Sequence, residues 1–367
     1  MLTLIVAPNW IGDAVMAQPL LATLRRQQPE QRIHALCPPH IAPVFAAMPE
    51  VDSVVESPNV HGKLDLAARW RLGRALRASG YDRAIVLPNS AKSALVPWFA
   101  GIPERIGYRG EARSLLLNRV HEDRPGRRGQ ASGSGRGPGA GSGRGPRASG
   151  ARGAPERPPM VEHYAALAWA PGQAPEGPAP DPRLAIDPAL ARAARERLGL
   201  PIDAPLYALC PGAEYGPAKR WPARHYAALA GLIRADEPAA AVVVLGGPKD
   251  RPVGDEIAAL ARTPVRNLCG ETTLAEAMAL LSQAAGVASN DSGLMHVAAA
   301  FDRPMVALFG SSDPRHTPPR SRHARVEWLH LDCSPCFERE CPFGHLDCLE
   351  RIEPARAMRS LKDAMEG

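Results

Sequence analysis

No apolar run in the sequence approaches the roughly 18–20 residues a transmembrane helix needs, so no membrane span is expected. The first residues, Met1-Leu-Thr-Leu-Ile-Val-Ala-Pro8, lack the basic flank and cleavage site of a secretory signal. They read as a first strand, and the chain is expected to stay in the cytoplasm. A basic fold is missing too, despite a net charge of +6. Residues 124–159 hold eight Arg and one Glu, leaving 36 basic and 37 acidic side chains elsewhere. The rest of the chain is therefore near neutral, and a nucleic-acid partner is not expected. That same segment contains no Val, Ile, Leu, Phe, Tyr or Trp. It cannot bury enough apolar surface to offset the entropy of ordering, so it is expected to be a disordered Gly/Arg-rich insertion. No aromatic residues are interleaved with its arginines for stacking on bases, although an Arg-Gly segment can bind RNA or anionic lipid.

At 367 residues the chain exceeds one typical core, and two domains are expected. Strand-like runs at 2–7, 32–37, 53–56 and 83–87 alternate with helical patterns, notably 14–27 and 64–78. After the low-complexity segment come a short helix at 160–169 and a Pro-rich connector at 171–182. The alternation then resumes, with strands at 206–210, 241–245, 265–268, 286–289 and 304–310. Helices are expected between them, at 188–198, 223–234, 253–261 and 274–284. Such alternation predicts α/β domains with parallel sheets, their working loops at the carboxyl ends of the strands and facing a central cleft.

The stretch Ser289-Asn-Asp-Ser-Gly-Leu-Met-His296 lies where a strand gives way to a helix. Free backbone N–H groups and about half a positive charge gather at such a point, which suits a phosphate. Asp291 and Ser292 are natural caps, and Gly293 lets a ligand approach the backbone; an ordinary capped helix is the plainer alternative. Three further strand-end loops keep it company. Cys210-Pro-Gly-Ala-Glu-Tyr-Gly-Pro-Ala-Lys-Arg-Trp-Pro222 can offer backbone donors and the point charge of Lys219 to a diphosphate. It lacks the Gly-Lys-Ser/Thr ending of a Walker loop. Gly246 and Gly247 form a second glycine turn, and Gly270 leads to Thr272 or Thr273 as a helix cap. Four such loops in one domain point to a nucleotide. Near the N-terminus, Asp13 follows Gly12 at the end of the first strand-to-helix loop. It reads either as a helix cap or as a proton acceptor partly desolvated by Trp10 and Ile11.

The tail carries Cys333-x2-Cys336-x4-Cys341-x6-Cys348 with His345 inside it. Clustered thiols in a cytoplasmic protein suggest a structural zinc, with reduced packing thiols as the alternative. Cys37, Cys210 and Cys269 lie singly on or beside strands and read as core.

These stretches together resemble the lipopolysaccharide heptosyltransferases, the type II branch in particular. The likeness rests on residues 9–19 (Asn-Trp-Ile-Gly-Asp-Ala-Val-Met-Ala-Gln-Pro), Arg105-Ile-Gly-Tyr108, 211–222, 290–296 and 333–342. It implies a GT-B fold of two Rossmann-like domains: residues 1–170 on the acceptor side and 183–350 binding ADP-heptose, with a C-terminal helix at 351–367. It implies inverting transfer of L-glycero-D-manno-heptose from ADP-heptose to the first heptose of heptosyl-Kdo-lipid A, at the cytoplasmic membrane face. Asp13 would be the general base and Lys219 the neutraliser of the departing diphosphate. Gly212, Gly246, Gly247, Thr272, Asp291, Ser292, Gly293 and His296 would line the donor site. No cofactor is demanded for catalysis, in keeping with the missing Asp-x-Asp metal clamp. A heptosyltransferase with another core acceptor, a sugar-nucleotide epimerase of like architecture, and an RNA-binding protein using the Arg-Gly segment are the competing expectations.

Overall fold

The structure, a computed structural model, describes residues 1–57, 64–122 and 158–367. The segment expected to be a disordered insertion, 124–159, lies outside the described residues except for its last two. The chain divides into two compact units, the first ending at Pro180 and the second running from Asp181 to Gly367.

In the first unit, β1 (Leu2–Val6), β2 (Arg32–Cys37), β3 (Ser53–Glu56), β4 (Arg83–Val86), β5 (Glu104–Tyr108) and β6 (Arg119–His121) form one sheet. In the second, β7 (Leu206–Cys210), β8 (Ala241–Val244), β9 (Arg266–Asn267), β10 (Ala284–Asn290), β11 (Met305–Leu308) and β12 (Ala324–Glu327) form another. All pairings are parallel. The orders are β3-β2-β1-β4-β5-β6 and β12-β11-β10-β7-β8-β9. Counted from its own first strand, the second sheet repeats the order of the first, that of a doubly wound nucleotide-binding fold. The α/β class with two parallel sheets is thus as the sequence predicts.

The helices are α1 (Ile11–Gln27), α2 (Ala42–Ala46), α3 (Leu66–Leu76), α4 (Ala91–Phe99), α5 (Met160–Ala165) and α6 (Pro188–Arg197). They continue with α7 (Ala223–Asp236), α8 (Arg251–Leu260), α9 (Leu274–Leu281), α10 (Gly293–Ala300), α11 (Asp347–Glu350) and α12 (Pro354–Glu366). Parallel strands covered on both faces are apolar throughout, and β1, β7 and β11 are buried at every position. Each unit has its own core. One is built around Leu4, Val6, Val86 and Ile102, the other around Leu209, Trp221, Tyr226, Val244 and Leu361. The last helix, α12, packs on β10, β11, β12 and α7 of the second unit. Cys37, Cys210 and Cys269 are fully buried, as expected, and burial pushes the Cys37 and Cys269 thiols up to about 12.

Several boundaries differ from the sequence reading. Helix α1 starts at Ile11 rather than Ala14, so Asp13 lies in its first turn. Helix α3 starts at Leu66, because Asp65 caps it by accepting from the Ala68 N–H at 2.9 Å. Strand β10 begins at Ala284, which ends α9 three residues early. Among the described residues no helix is long and apolar enough to cross a membrane.

Candidate functional site

In a doubly wound sheet the crevice opens at the carboxyl ends of the two central strands, where the chain order reverses. Those strands are β1 and β4 in one unit and β7 and β10 in the other. Asp13 follows β1, Lys219 follows β7, and Asp291 follows β10, so these three sequence-predicted residues all lie just beyond such a strand.

Lys219 belongs to a one-turn 3-10 segment, Pro217–Lys219, on the loop after β7. Its Nζ is 2.5 Å from Oδ2 of Asp291, and the two side chains are 19% and 8% exposed. The ammonium also sits 5.3 Å from the centre of the Tyr215 ring, a cation–π contact. The outer side of this loop is braced by the Cys-rich tail. The Ala218 N–H donates to the Arg339 carbonyl at 3.0 Å, and the Tyr215 hydroxyl donates to the Phe337 carbonyl at 2.7 Å. Gly216 makes the brace possible, since a Cβ there would lie 2.4 Å from the Arg339 carbonyl oxygen.

Asn290 fixes the inner side. It is fully buried and closes β10. Its Nδ2 donates to the Pro211 carbonyl at 2.7 Å, and its Oδ1 accepts from the Trp221 N–H at 3.0 Å and the Tyr226 hydroxyl at 2.9 Å. The side chain thus ties the end of β10 to both ends of the Lys219 loop.

Helix α10 begins beside this pair. Its cap residue, Ser292, has the extended backbone of an N-cap, yet its side chain makes no capping bond. The hydroxyl instead faces Ser289 Oγ at 3.3 Å. Asp291 does not cap either; it is taken by Lys219. The first-turn N–H groups of α10, including that of Gly293, are left for an anion to meet. His296, one turn on, is 6% exposed, and burial holds its pKa down to about 4 against the opposing pull of Asp291. The imidazole is therefore neutral near pH 7.

The glycines have a partner the sequence reading missed. A Cβ on Gly212 would come 2.7 Å from Oδ2 of Asp250, and one on Gly246 would meet the same carboxylate at 2.9 Å. The Gly247 N–H donates to it at 3.0 Å. These positions are small because Asp250 fills the notch between them. A carboxylate there suits sugar hydroxyls better than phosphate. Thr273, not Thr272, caps α9 through a reciprocal box with Glu276, leaving the Thr272 side chain half-buried and outside the cap.

In the first unit Asp13 is half-buried and accepts a hydrogen bond from the Tyr164 hydroxyl at 3.2 Å. The neighbour expected to shield it, Trp10, is 53% exposed. Tyr164 is held in turn by the Arg-Ile-Gly-Tyr motif. Tyr108 stacks on His163 at 3.8 Å, and its hydroxyl donates to the His163 carbonyl at 2.5 Å. No spacing in the sequence links Tyr164 to Asp13, 151 residues away.

The expected metal set is not assembled. Cys333, Cys336 and Cys341 are half-buried and Cys348 is buried, all as free thiols. Among the described residues, no group of three or more His, Cys, Asp or Glu could hold a metal ion. A structural zinc is thus not shown. The tail instead braces the Lys219 loop through Phe337 and Arg339.

Comparison with known proteins gives the same picture at the scale of the whole chain. The pattern of glycosyltransferase family 9 (heptosyltransferase) matches residues 69–128 and 148–347. Lipopolysaccharide heptosyltransferase 2 of Escherichia coli is 39% identical, the match covering 98% of this chain and 97% of that protein. Lipooligosaccharide heptosyltransferase 2 of Haemophilus influenzae is 38% identical over 99% of each. The solved structure of the E. coli ADP-heptose lps heptosyltransferase II superposes with a TM-score of 0.82 at 37% identity, covering 100% of this chain and 99% of that one. With two doubly wound units and a strand-end cation poised at an uncapped helix, the chain belongs to glycosyltransferase family 9, the heptosyltransferases.

Proposed function

We propose that the protein transfers L-glycero-D-manno-heptose from ADP-heptose to the first heptose of heptosyl-Kdo-lipid A, inverting the anomeric centre. The observation that carries this reading is the pairing of Lys219 and Asp291 beside the open N–H groups of α10. A glycosyl diphosphate already has a good leaving group. The protein's task is to hold the acceptor hydroxyl in line and to stabilise charge as ADP departs. Lys219 and the amides at Ser292 and Gly293 take the diphosphate. Neutral His296 can hydrogen-bond without adding a fixed charge. Asp250, in its glycine notch of Gly212, Gly246 and Gly247, accepts from the ribose hydroxyls, with Thr272 nearby in sequence on the next strand-end loop. Asp13 takes the proton from the acceptor hydroxyl, and Tyr164 holds its carboxylate in place. No metal takes part in these roles. An acceptor of this kind is lipid-linked, so the enzyme would work at the cytoplasmic membrane face.

The test is incubation with ADP-heptose and heptosyl-Kdo-lipid A, followed by mass spectrometry of the lipid. One added heptose is expected, and an unchanged acceptor mass with free heptose released would refute the transfer. Asp13→Asn should lose at least a thousandfold in turnover while keeping donor affinity. A variant turning over at the wild-type rate removes Asp13 from the base role.

A further inference from the structure

The first unit holds a cavity of about 70 Å³ at the carboxyl ends of its strands. Apolar residues of β1 and β2, among them Val6 and Leu36, line part of it. Its polar lining comes from Asn9, Ser57, Arg69, Ser90, Lys92 and Ser93. Arg69, on α3, is 7% exposed, and one of its terminal nitrogens donates to the Lys92 carbonyl at 3.1 Å. The Lys92 side chain, half-buried in the first turn of α4, makes no ion pair or hydrogen bond among the described residues. The start of α4 itself is already met, because Glu111 accepts from the Ala91 N–H at 3.0 Å. The cationic side chains, rather than the helix dipole, therefore give the cavity its sign. Among the described residues, two cations and four neutral polar residues line it, with no acidic side chain.

We propose that this cavity binds an oxyanion carried by the acceptor, a carboxylate or a phosphate, and so orients the acceptor hydroxyl toward Asp13. Size decides what enters. Space of this kind takes a water for about every 10–15 Å³, so the cavity has room for a small charged group such as a carboxylate or a phosphate. Position decides the consequence. Asn9 lines the cavity and lies on the short loop that leads into α1, whose first turn carries Asp13, so an anion held there anchors the acceptor near the base. A half-buried cation binds an anion more strongly than an exposed one does, because less solvent screens the pair. The inference rests on the transferase reading for its acceptor, while the cavity's preference for anions stands apart from it.

The test uses the full chain and two probes, the free acid sugar 3-deoxy-D-manno-octulosonate and inorganic phosphate, titrated by calorimetry. One of them should bind, and Lys92→Ala should weaken it at least tenfold, with Lys92→Arg restoring most of the affinity. The probe that binds identifies carboxylate or phosphate as the group. In steady state, Lys92→Ala should raise the acceptor KM about tenfold and leave the donor KM unchanged. Neither probe binding, or equal binding to the wild type and Lys92→Ala, overturns the inference. So does an unchanged acceptor KM in a variant that still transfers heptose, an outcome that leaves the transferase reading intact. Anion binding lost in Lys92→Ala, alongside a wild type that transfers no heptose, upholds the cavity and refutes the transferase reading instead.

Discussion

Asn290 uses three hydrogen-bonding positions in a site closed to water, joining the end of β10 to Pro211, Trp221 and Tyr226. Replacing it with Ala leaves the Trp221 N–H and the Pro211 carbonyl buried without partners, and the Tyr226 hydroxyl with only a long 3.4 Å bond to the Cys210 carbonyl. At roughly 1–3 kcal/mol for each such group, and allowing for relaxation, Asn290→Ala should cost about 3–4 kcal/mol in urea unfolding. Donor KM should rise in parallel, since Lys219 loses its anchor. Tyr164→Phe removes one bond to Asp13 and is expected to cut turnover about tenfold without changing donor KM, as stopped-time assays would show. His296 sets a pH dependence. Its folded pKa, about 4, lies below the ordinary 6.5, so the unfolded chain binds the extra proton between those values. Stability should then be full near pH 7 and fall by up to about 3 kcal/mol as pH drops from 6.5 toward 4, with His296→Asn flattening that slope. Asp13, Lys219 and Asp291 were legible because each follows a strand in the chain. Asn290, Tyr164 and Asp250 were not legible as site residues, because their roles depend on partners brought near only by folding or on space left by glycines.

Among the elements, the central strands declared themselves and several others did not. Strands β7 and β8 are unbroken apolar runs and β1 is interrupted only by Thr3, which is how a strand covered on both faces reads. Strand β5 was missed as a strand although it carries the Arg-Ile-Gly-Tyr motif, because Gly107 interrupts its apolar pattern. The short edge strands β6 and β12 carry Arg, His and Glu among their few residues and give no run to detect. Helix α4 was missed for a related reason: Pro97 sits inside it, and Pro weakens any helical reading. A cap explains the shifted start of α3, where Asp65 accepts from the Ala68 N–H. Thr273→Ala should lose about 1 kcal/mol of stability with little change in activity, measured by thermal unfolding beside the assay. Gly216→Ala tests the brace from the tail. The added methyl must push the Arg339 carbonyl away, so donor KM should rise about tenfold while the melting temperature moves only a few degrees.

The molecule as a whole repeats one design: two sheets of the same strand order, each with a core of its own. Alternation along the sequence was enough to predict that class, since a parallel strand needs a crossover to reach its neighbour. Residues 181–367 expressed alone should therefore unfold cooperatively and bind ADP within about tenfold of the full chain; a fragment without a cooperative transition would show that the second core depends on the first. The same topology governs how the enzyme is made. Strand β7 is synthesised long before its central neighbour β10, with β8 and β9 in between, and Arg339 follows later still. A chain growing on the ribosome thus carries Lys219 on a slack loop until residue 290 has emerged, and gains its outer clamp only after residue 339. On the role proposed for Lys219, the grip on the leaving group is among the last features to be completed, and donor binding is expected only once nearly all of the chain has been translated.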